Sequence, residues 1–161
     1  MDLEKLMMSY LKNSKDDISL YKGWIMMYII GDRRKADIIL KRLKPVLFQI
    51  SKYLNHSFPT EKQTLYRGVL LPPDFDINDY KMWDYDHVSF TEDKEIAKAF
   101  SDINSKLGFM FSKDSIGHIL EYVQCNEDHV WFHYKWAEEF EPEFYEFITS
   151  WGQKEVLLGK I

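Results

Sequence analysis

The chain of 161 residues has little of what would place it in a membrane or outside the cell. Its single cysteine, Cys125, excludes an internal disulfide and indicates a reducing compartment. It has no run of about 18 uncharged apolar residues, which a membrane-spanning helix needs, and its best candidate is residues 24–30. The N-terminal sequence MDLEKLMM lacks the basic segment of a secretory signal. We therefore expect a cytoplasmic protein that does not contact a membrane.

Net positive charge is also missing. The chain has 21 basic and 26 acidic residues, a formal net charge of −5, which argues against nucleic-acid binding by charge alone. The charge is uneven, because residues 1–60 carry 11 basic and 6 acidic side chains whereas residues 61–161 carry 10 and 20. Two interpretations of the basic part stay open: a solvated helix face, or a surface that meets a partner or a phosphate group.

The first 60 residues have the periodicity of amphipathic helices. They predict a helix at residues 3–11, a second helix capped by Ser14, and a third helix from Asp32 to Leu54. Pro45 lies inside the third helix and should kink it or split it in two. The inner face of the second helix would comprise Ile18, Tyr21, Ile25, Tyr28 and Ile29. The outer face of the third would carry Arg34, Lys41 and Lys44.

The remaining residues form shorter apolar runs, which predict strands at 64–71, 87–90, 117–124, 129–134 and 153–159. A helix capped by Thr91 should follow the second strand. That helix would bury Ile96, Ala99 and Phe100. Residues 101–116 and the acidic, aromatic segment 137–150, which contains Pro142, are predicted to be loops. A helical first third followed by short strands predicts an α+β fold rather than a doubly wound α/β fold.

The motifs of several common enzyme classes are absent. No GxGxxG, GxxxxGK[ST], CxxC or HExxH occurs, and no serine lies in a nucleophile-elbow context. His129 and His133 would share one face of a strand, but without a third ligand we expect no metal. An acidic cluster could supply the carboxylate pair of a glycosidase, although such clusters are more often solvated. It comprises Glu138, Glu139, Glu141, Glu143 and Glu146.

Three short motifs carry the most chemical information. They are Leu65-Tyr66-Arg67-Gly68, Val88-Ser89-Phe90-Thr91 and Gly152-Gln153-Lys154-Glu155. Strand alternation would place Gln153 and Glu155 on the same face. Because buried arginine and glutamate are rarely unpaired, a structural ion pair between Arg67 and Glu155 is one interpretation of the first and third motifs.

In order and spacing the three motifs resemble those of the mono-ADP-ribosyltransferases of the R-S-E class. The likeness is greatest to the Rho-modifying bacterial exoenzymes and to the enzymatic domains of actin-modifying binary toxins. It covers residues 60–161 by motif, including the strand at 117–123, and departs from the family at Phe90, where many members have a small polar residue. The resemblance implies a single domain, residues 1–161, with a helical part before residue 61. The catalytic core at 61–161 would have two mixed sheets and an NAD cleft.

The resemblance also implies roles for individual residues, with NAD as a substrate and no metal. Cleavage of the nicotinamide–ribose bond develops positive charge on the ribose, which the carboxylate of Glu155 would stabilise. Ser89 would orient Glu155, and Gln153 would face the acceptor. The NAD-binding residues would be Arg67, Gly68, Thr91 and Phe111, with Phe109 as an alternative to Phe111. The target-recognition residues would be Phe144, Tyr145 and Trp151.

From this resemblance we expect a monomer that transfers ADP-ribose from NAD to a macromolecule and releases nicotinamide. It would act as a phage or bacterial effector or as a toxin fragment, in its own cell or in a host cell. The amide at Gln153 favours a non-arginine acceptor, and the acidic segment favours a protein target over DNA or RNA. Three alternatives stay open: an NAD glycohydrolase, a nucleic-acid ADP-ribosyltransferase, and an inactive interaction module of the same fold.

Overall fold

The computed structural model describes residues 16–82, 87–102, 114–125 and 129–159. The predicted helix at residues 3–11 and the aromatic residues Phe109 and Phe111 lie outside these ranges. In chain order the elements are α1 (Asp17–Ile29), α2 (Arg33–Ser57), β1 (Thr64–Leu71), β2 (His87–Thr91), α3 (Lys94–Phe100), β3 (Ile116–Val123), β4 (His129–His133), α4 (Pro142–Trp151) and β5 (Glu155–Gly159). None of the helices in the described ranges combines the length and the apolar character that a membrane span requires.

The chain divides into two compact units. One comprises residues 1–60 and 131–153, and the other comprises residues 61–130 and 154–161. The predicted organisation as a single domain stays a prediction. The helices α1, α2 and α4 belong to the first unit, and α3 and most of the strands belong to the second.

Helix α1 is buried around most of its circumference. It begins after Asp16, whose side chain accepts a hydrogen bond from the backbone N–H of Ile18, so the predicted cap at Ser14 is wrong. Every residue from Ser19 to Ile29 is buried, whereas Ile18, predicted for the inner face, is 37% exposed. A helix that is buried on most sides needs no polar face, so the spacing of its apolar residues does not predict which of them are buried.

Helix α2 begins as the sequence predicts, after Asp32, whose carboxylate accepts from the backbone N–H of Lys35. It continues as one helix through Pro45 to Ser57, so of the two alternatives predicted at Pro45 the split is wrong, and the kink stays a prediction. The lost backbone hydrogen bond is outweighed by tertiary packing. The buried face that supplies this packing comprises Ala36, Ile39, Leu40, Leu43, Leu47, Ile50 and Leu54. The basic side chains of the outer face are exposed, as predicted.

The segment predicted as an acidic, aromatic loop is helical, so that prediction is wrong. Residues Tyr134–Glu139 form a 3-10 helix, and α4 follows it. Pro142 stands in the first turn of α4, where the N–H that proline lacks would have no helical partner. Gly152, with a φ of 60°, ends the helix in the left-handed region that glycine adopts easily.

The five strands form one antiparallel sheet in the order β3-β1-β2-β5-β4. Helices together with this sheet confirm the coarser part of the predicted fold class, although the described residues contain one sheet rather than the two expected. The pairing is uneven. Strand β1 pairs with β3 along eight residues and β2 pairs with β5 along five, whereas the fully described strands β1 and β2 pair only at Tyr66 and Thr91. Beyond that pair, the sheet is therefore nearly divided between β1 and β2.

Helix α3 packs against β1 and β3 at two glycines. A Cβ atom at Gly68 would lie 1.9 Å from the carbonyl oxygen of Ala97, and one at Gly117 would lie 1.8 Å from that of Ser101. The backbone of this segment thus approaches the sheet as closely as glycine allows. The helix is capped by Asp93 and not by Thr91, which ends β2. It buries Ala97 most deeply and leaves the predicted inner residues half-buried.

Candidate active site

A cavity of about 70 Å³ lies in the second unit, where β1 and β2 part. It is lined by Tyr66, Arg67, Gly68, Ser89, Phe90, Thr91, Phe100 and Glu155. The structure therefore brings together the arginine and serine motifs and the glutamate of the third motif. Tyr66 and Phe100 also line this cavity, although no sequence signal assigned them to a site.

The centre of the cavity is a hydrogen bond between two motif residues. The hydroxyl of Ser89 donates to Oε1 of Glu155. Glu155 is the first residue of β5 and pairs in register with Thr91, two residues after Ser89, so strand alternation places all three side chains on one face. Glu155 is 4% exposed. A buried carboxylate needs hydrogen-bond donors, and Ser89 supplies one of them in a fixed direction.

Arg67 stands at the point where β1 leaves β2. Its Nε donates to the hydroxyl of Tyr80 and its Nη1 donates to the backbone carbonyl of Ser89, both at 3.1 Å. Ser89 therefore links Arg67 and Glu155: its backbone carbonyl accepts from Arg67, and its hydroxyl donates to Glu155. This arrangement replaces the alternative interpretation of a direct structural ion pair between the two charged residues.

The structure gives Gly68 and Thr91 structural roles beside those that the resemblance implies. Gly68 is required by the close approach of the Ala97 carbonyl, whether or not a ligand also approaches it. Thr91 is 4% exposed, and its Oγ1 accepts from the backbone N–H of Asp93, which shapes the turn into α3. Both residues line the cavity, and each also has a structural role that does not depend on a ligand.

Gln153 is placed differently from its sequence prediction. It is half-buried and precedes β5, which begins at Glu155. Lys154 between them has a φ of 46°, so the regular alternation of a strand does not extend back to Gln153. Gln153 also belongs to the first unit, whereas the residues of the cavity belong to the second. The inference that Gln153 and Glu155 share a strand face is therefore wrong.

The three predicted target-recognition residues all lie on α4, in the first unit, but they differ in exposure. Phe144 is fully buried, with its ring 5.3 Å from that of Phe140 and 6.4 Å from that of Phe132 between centroids. Its assignment to a recognition surface is wrong, because it belongs to the core. Tyr145 and Trp151 are 45% and 40% exposed, so their side chains can meet a partner.

The metal and glycosidase interpretations gain no support from the described residues. In those ranges no group of three histidine, cysteine, aspartate or glutamate side chains is placed to hold a metal ion. His133 is buried, and its Nδ1 accepts from the backbone N–H of Lys135. In the acidic cluster, Glu141 pairs with the ammonium group of Lys22 at 2.8 Å, which gives that carboxylate a structural role.

Besides Tyr66 and Phe100, sequence reasoning also missed Tyr80, which contacts Arg67. It follows the short 3-10 helix Ile77–Asp79 in the Asp-rich segment after β1, and it is half-buried. No motif marks it, and its only sequence signal is an aromatic hydroxyl in a polar loop.

No family model matches this chain, and neither a curated protein nor a solved structure matches it. Its function must therefore be inferred from the residues of the cavity and from the resemblance of its motifs.

Proposed function

We propose that this protein is a mono-ADP-ribosyltransferase that transfers ADP-ribose from NAD to a macromolecular target. The observation that carries the proposal is the meeting of Arg67, Ser89 and Glu155 at one cavity, with Ser89 hydrogen-bonded to both of the others. These residues come from three strands and from distant parts of the sequence. Their convergence supports the resemblance that their order and spacing first indicate.

In the proposed reaction the bond between the ribose C1′ atom and the nicotinamide nitrogen breaks, and its electron pair leaves with nicotinamide. A bond forms between C1′ and the acceptor atom, which loses its proton to solvent or to a nearby base. The ribose carries positive charge in the transition state, and the carboxylate of Glu155 would stabilise that charge more than it stabilises the ground state. The hydroxyl of Ser89 fixes the orientation of the Glu155 carboxylate, so this group needs little reorientation to reach the transition state.

Arg67 would bind the diphosphate of NAD. A guanidinium suits this task because it stays charged and can donate to two phosphate oxygens at once. The cavity of about 70 Å³ has room for only a few water molecules, so the reacting end of NAD would enter it and the rest would lie outside.

The acceptor part of the proposal rests on resemblance. A glutamine two residues before the catalytic glutamate favours a carboxamide or another non-arginine acceptor. Tyr145 and Trp151, exposed on α4 among acidic side chains, suit a neutral or basic protein surface. We therefore propose a protein target.

The test uses NAD labelled in its adenylate part, a cell lysate, and three proteins: the wild type, Glu155→Gln and Glu61→Gln. Glu61 is exposed and is not among the residues that line the cavity, so Glu61→Gln makes the same chemical change outside the site. We expect protease-sensitive labelled product with the wild type and with Glu61→Gln, and a loss of about 10²–10³-fold with Glu155→Gln.

Other products would identify the alternatives. Nuclease-sensitive label would indicate a nucleic-acid target, and free ADP-ribose without labelled macromolecule would indicate an NAD glycohydrolase. If the wild type and Glu155→Gln leave the same amount of NAD and no label, the enzymatic proposal is wrong and an interaction module is favoured.

A further inference from the structure

The guanidinium of Arg67 is fixed from two sides before any ligand binds. We propose that Tyr80 is a positioning residue for Arg67, which turns the Nη1–Nη2 edge of the guanidinium toward a phosphate group of the ligand. This inference rests on the proposed function, in which Arg67 binds the diphosphate of NAD.

Arg67 has more donors than its two contacts use. An arginine side chain has five N–H donors, and two of those of Arg67 are engaged, one with Tyr80 and one with the carbonyl of Ser89. The other three, on Nη1 and Nη2, have no partner among the described residues. They are the donors that an anionic ligand in the neighbouring cavity can reach.

Tyr80 occupies the Nε donor of Arg67. A carboxylate or phosphate can bind a guanidinium in a two-pronged manner through Nε and Nη2 or through Nη1 and Nη2. Because the hydroxyl of Tyr80 accepts from Nε, the first of these edges is taken. The remaining edge selects one orientation for a bound phosphate.

The second contact of Arg67, with the carbonyl of Ser89, lies where β1 and β2 separate. The carbonyl of Ser89 lies on β2 beyond its single register pair with β1, where the two strands no longer continue their pairing. Arg67 supplies a donor to this carbonyl from its side chain. With Tyr80 on one side and β2 on the other, the long arginine side chain is ordered in advance, so less conformational entropy is lost when a ligand binds.

The test compares Tyr80→Phe with Tyr53→Phe, a matched substitution on α2 at a side chain that is 64% exposed. Removing a hydrogen bond to a charged group should raise KM for NAD by about tenfold in Tyr80→Phe. We expect kcat to change by less than about twofold, because Glu155 and Ser89 are untouched. Tyr53→Phe should match the wild type in both constants.

A double-mutant cycle separates positioning from a general structural effect. Lysine has no Nε–H to donate, so Tyr80→Phe should have little further effect in an Arg67→Lys background. The inference is overturned if Tyr80→Phe leaves KM unchanged, or if it raises KM equally in both backgrounds.

Calorimetric binding of ADP, which requires no turnover, distinguishes this inference from the proposed function. Tyr80→Phe should weaken ADP binding by about tenfold, as it raises KM. If the wild type turns over NAD, but Tyr80→Phe changes neither ADP binding nor KM, only this inference is overturned. If Tyr80→Phe weakens ADP binding, but the wild type never releases nicotinamide from NAD, only the proposed function is overturned. Absence of both binding and turnover overturns both.

Discussion

The substitution Gly68→Ala tests whether the glycine of the arginine motif is needed for the fold. In the structure a Cβ at this position would lie 1.9 Å from the carbonyl oxygen of Ala97 and 3.0 Å from the Cβ of Phe100. A normal contact requires more than about 3 Å, so α3 and β1 would have to separate by roughly 1 Å or more. Because the opposing atom is backbone, no side-chain rotation relieves the clash.

The cost follows from this geometry. Overpacking of a core costs about 1–3 kcal/mol, and a backbone clash belongs at the upper end, so we expect a loss of about 3 kcal/mol in the free energy of unfolding. For a chain of 161 residues this lowers Tm by about 6–12 °C. Urea denaturation and thermal melting measure both quantities.

Two further glycines serve as matched variants. Gly117→Ala should cost as much as Gly68→Ala, because its Cβ would meet the carbonyl of Ser101 at 1.8 Å. Gly31→Ala has no atom within 4 Å and should cost only the roughly 1–2 kcal/mol of a left-handed conformation, since its φ is 86°. If Gly68→Ala unfolds like the wild type and loses only ligand binding, the packing argument is refuted and the glycine serves the ligand.

Four other substitutions follow from single contacts. Tyr21→Phe should lower the free energy of unfolding by about 1–2 kcal/mol, because a buried backbone carbonyl loses its 2.5 Å donor. Burial raises the pKa of Tyr21 well above its ordinary 10.0, so the folded state resists deprotonation of this side chain. The free energy of unfolding of the wild type should therefore fall as the pH rises above 10.0, and the contribution of Tyr21 to that fall should be absent in Tyr21→Phe. Pro45→Ala should raise the free energy of unfolding by about 1–3 kcal/mol, measured by urea denaturation, because it restores a hydrogen-bond donor inside a continuous helix. Glu141→Gln should destabilise the first unit by about 1–3 kcal/mol in the same assay, because the ammonium group of Lys22, which is 11% exposed, loses its 2.8 Å ion pair with the carboxylate of Glu141. If Glu155 acts on the ribose of NAD as proposed, Ser89→Ala should lower kcat by about 10–100-fold and leave KM for NAD nearly unchanged, because the carboxylate of Glu155 loses its oriented donor.

The strands and the longest helix could be predicted because local signals agree with tertiary structure there. Strand β1 is a mostly apolar run that ends at a pair of prolines, and its bounds match the prediction. Helix α2 has one apolar face and a cap at Asp32, and both signals survive in the fold. The motif residues on β1, β2 and β5 meet because each lies at a strand end or beside the point where the strands part.

The errors have equally local causes. The period of Phe144, Phe147 and Ile148 is that of a helix, but acidic neighbours and Pro142 favoured a loop. The position of Gln153 depends on the left-handed conformation of Lys154, which no sequence pattern announces. Contacts between distant segments, such as that of Tyr80 with Arg67, depend on how a loop returns to the sheet, so neither residue type nor spacing could predict them.

The most direct test of the central claim is the rate at which the purified protein releases nicotinamide from NAD, compared between the wild type and Glu155→Gln. Glutamine keeps the size of the side chain and removes its charge, so a change in rate reports on the carboxylate itself. We predict measurable release by the wild type and a rate lower by at least about 100-fold in a folded Glu155→Gln variant. Equal rates in the two proteins, or no release by the wild type in the presence of its target lysate, would contradict the claim that Glu155 acts on the ribose of NAD.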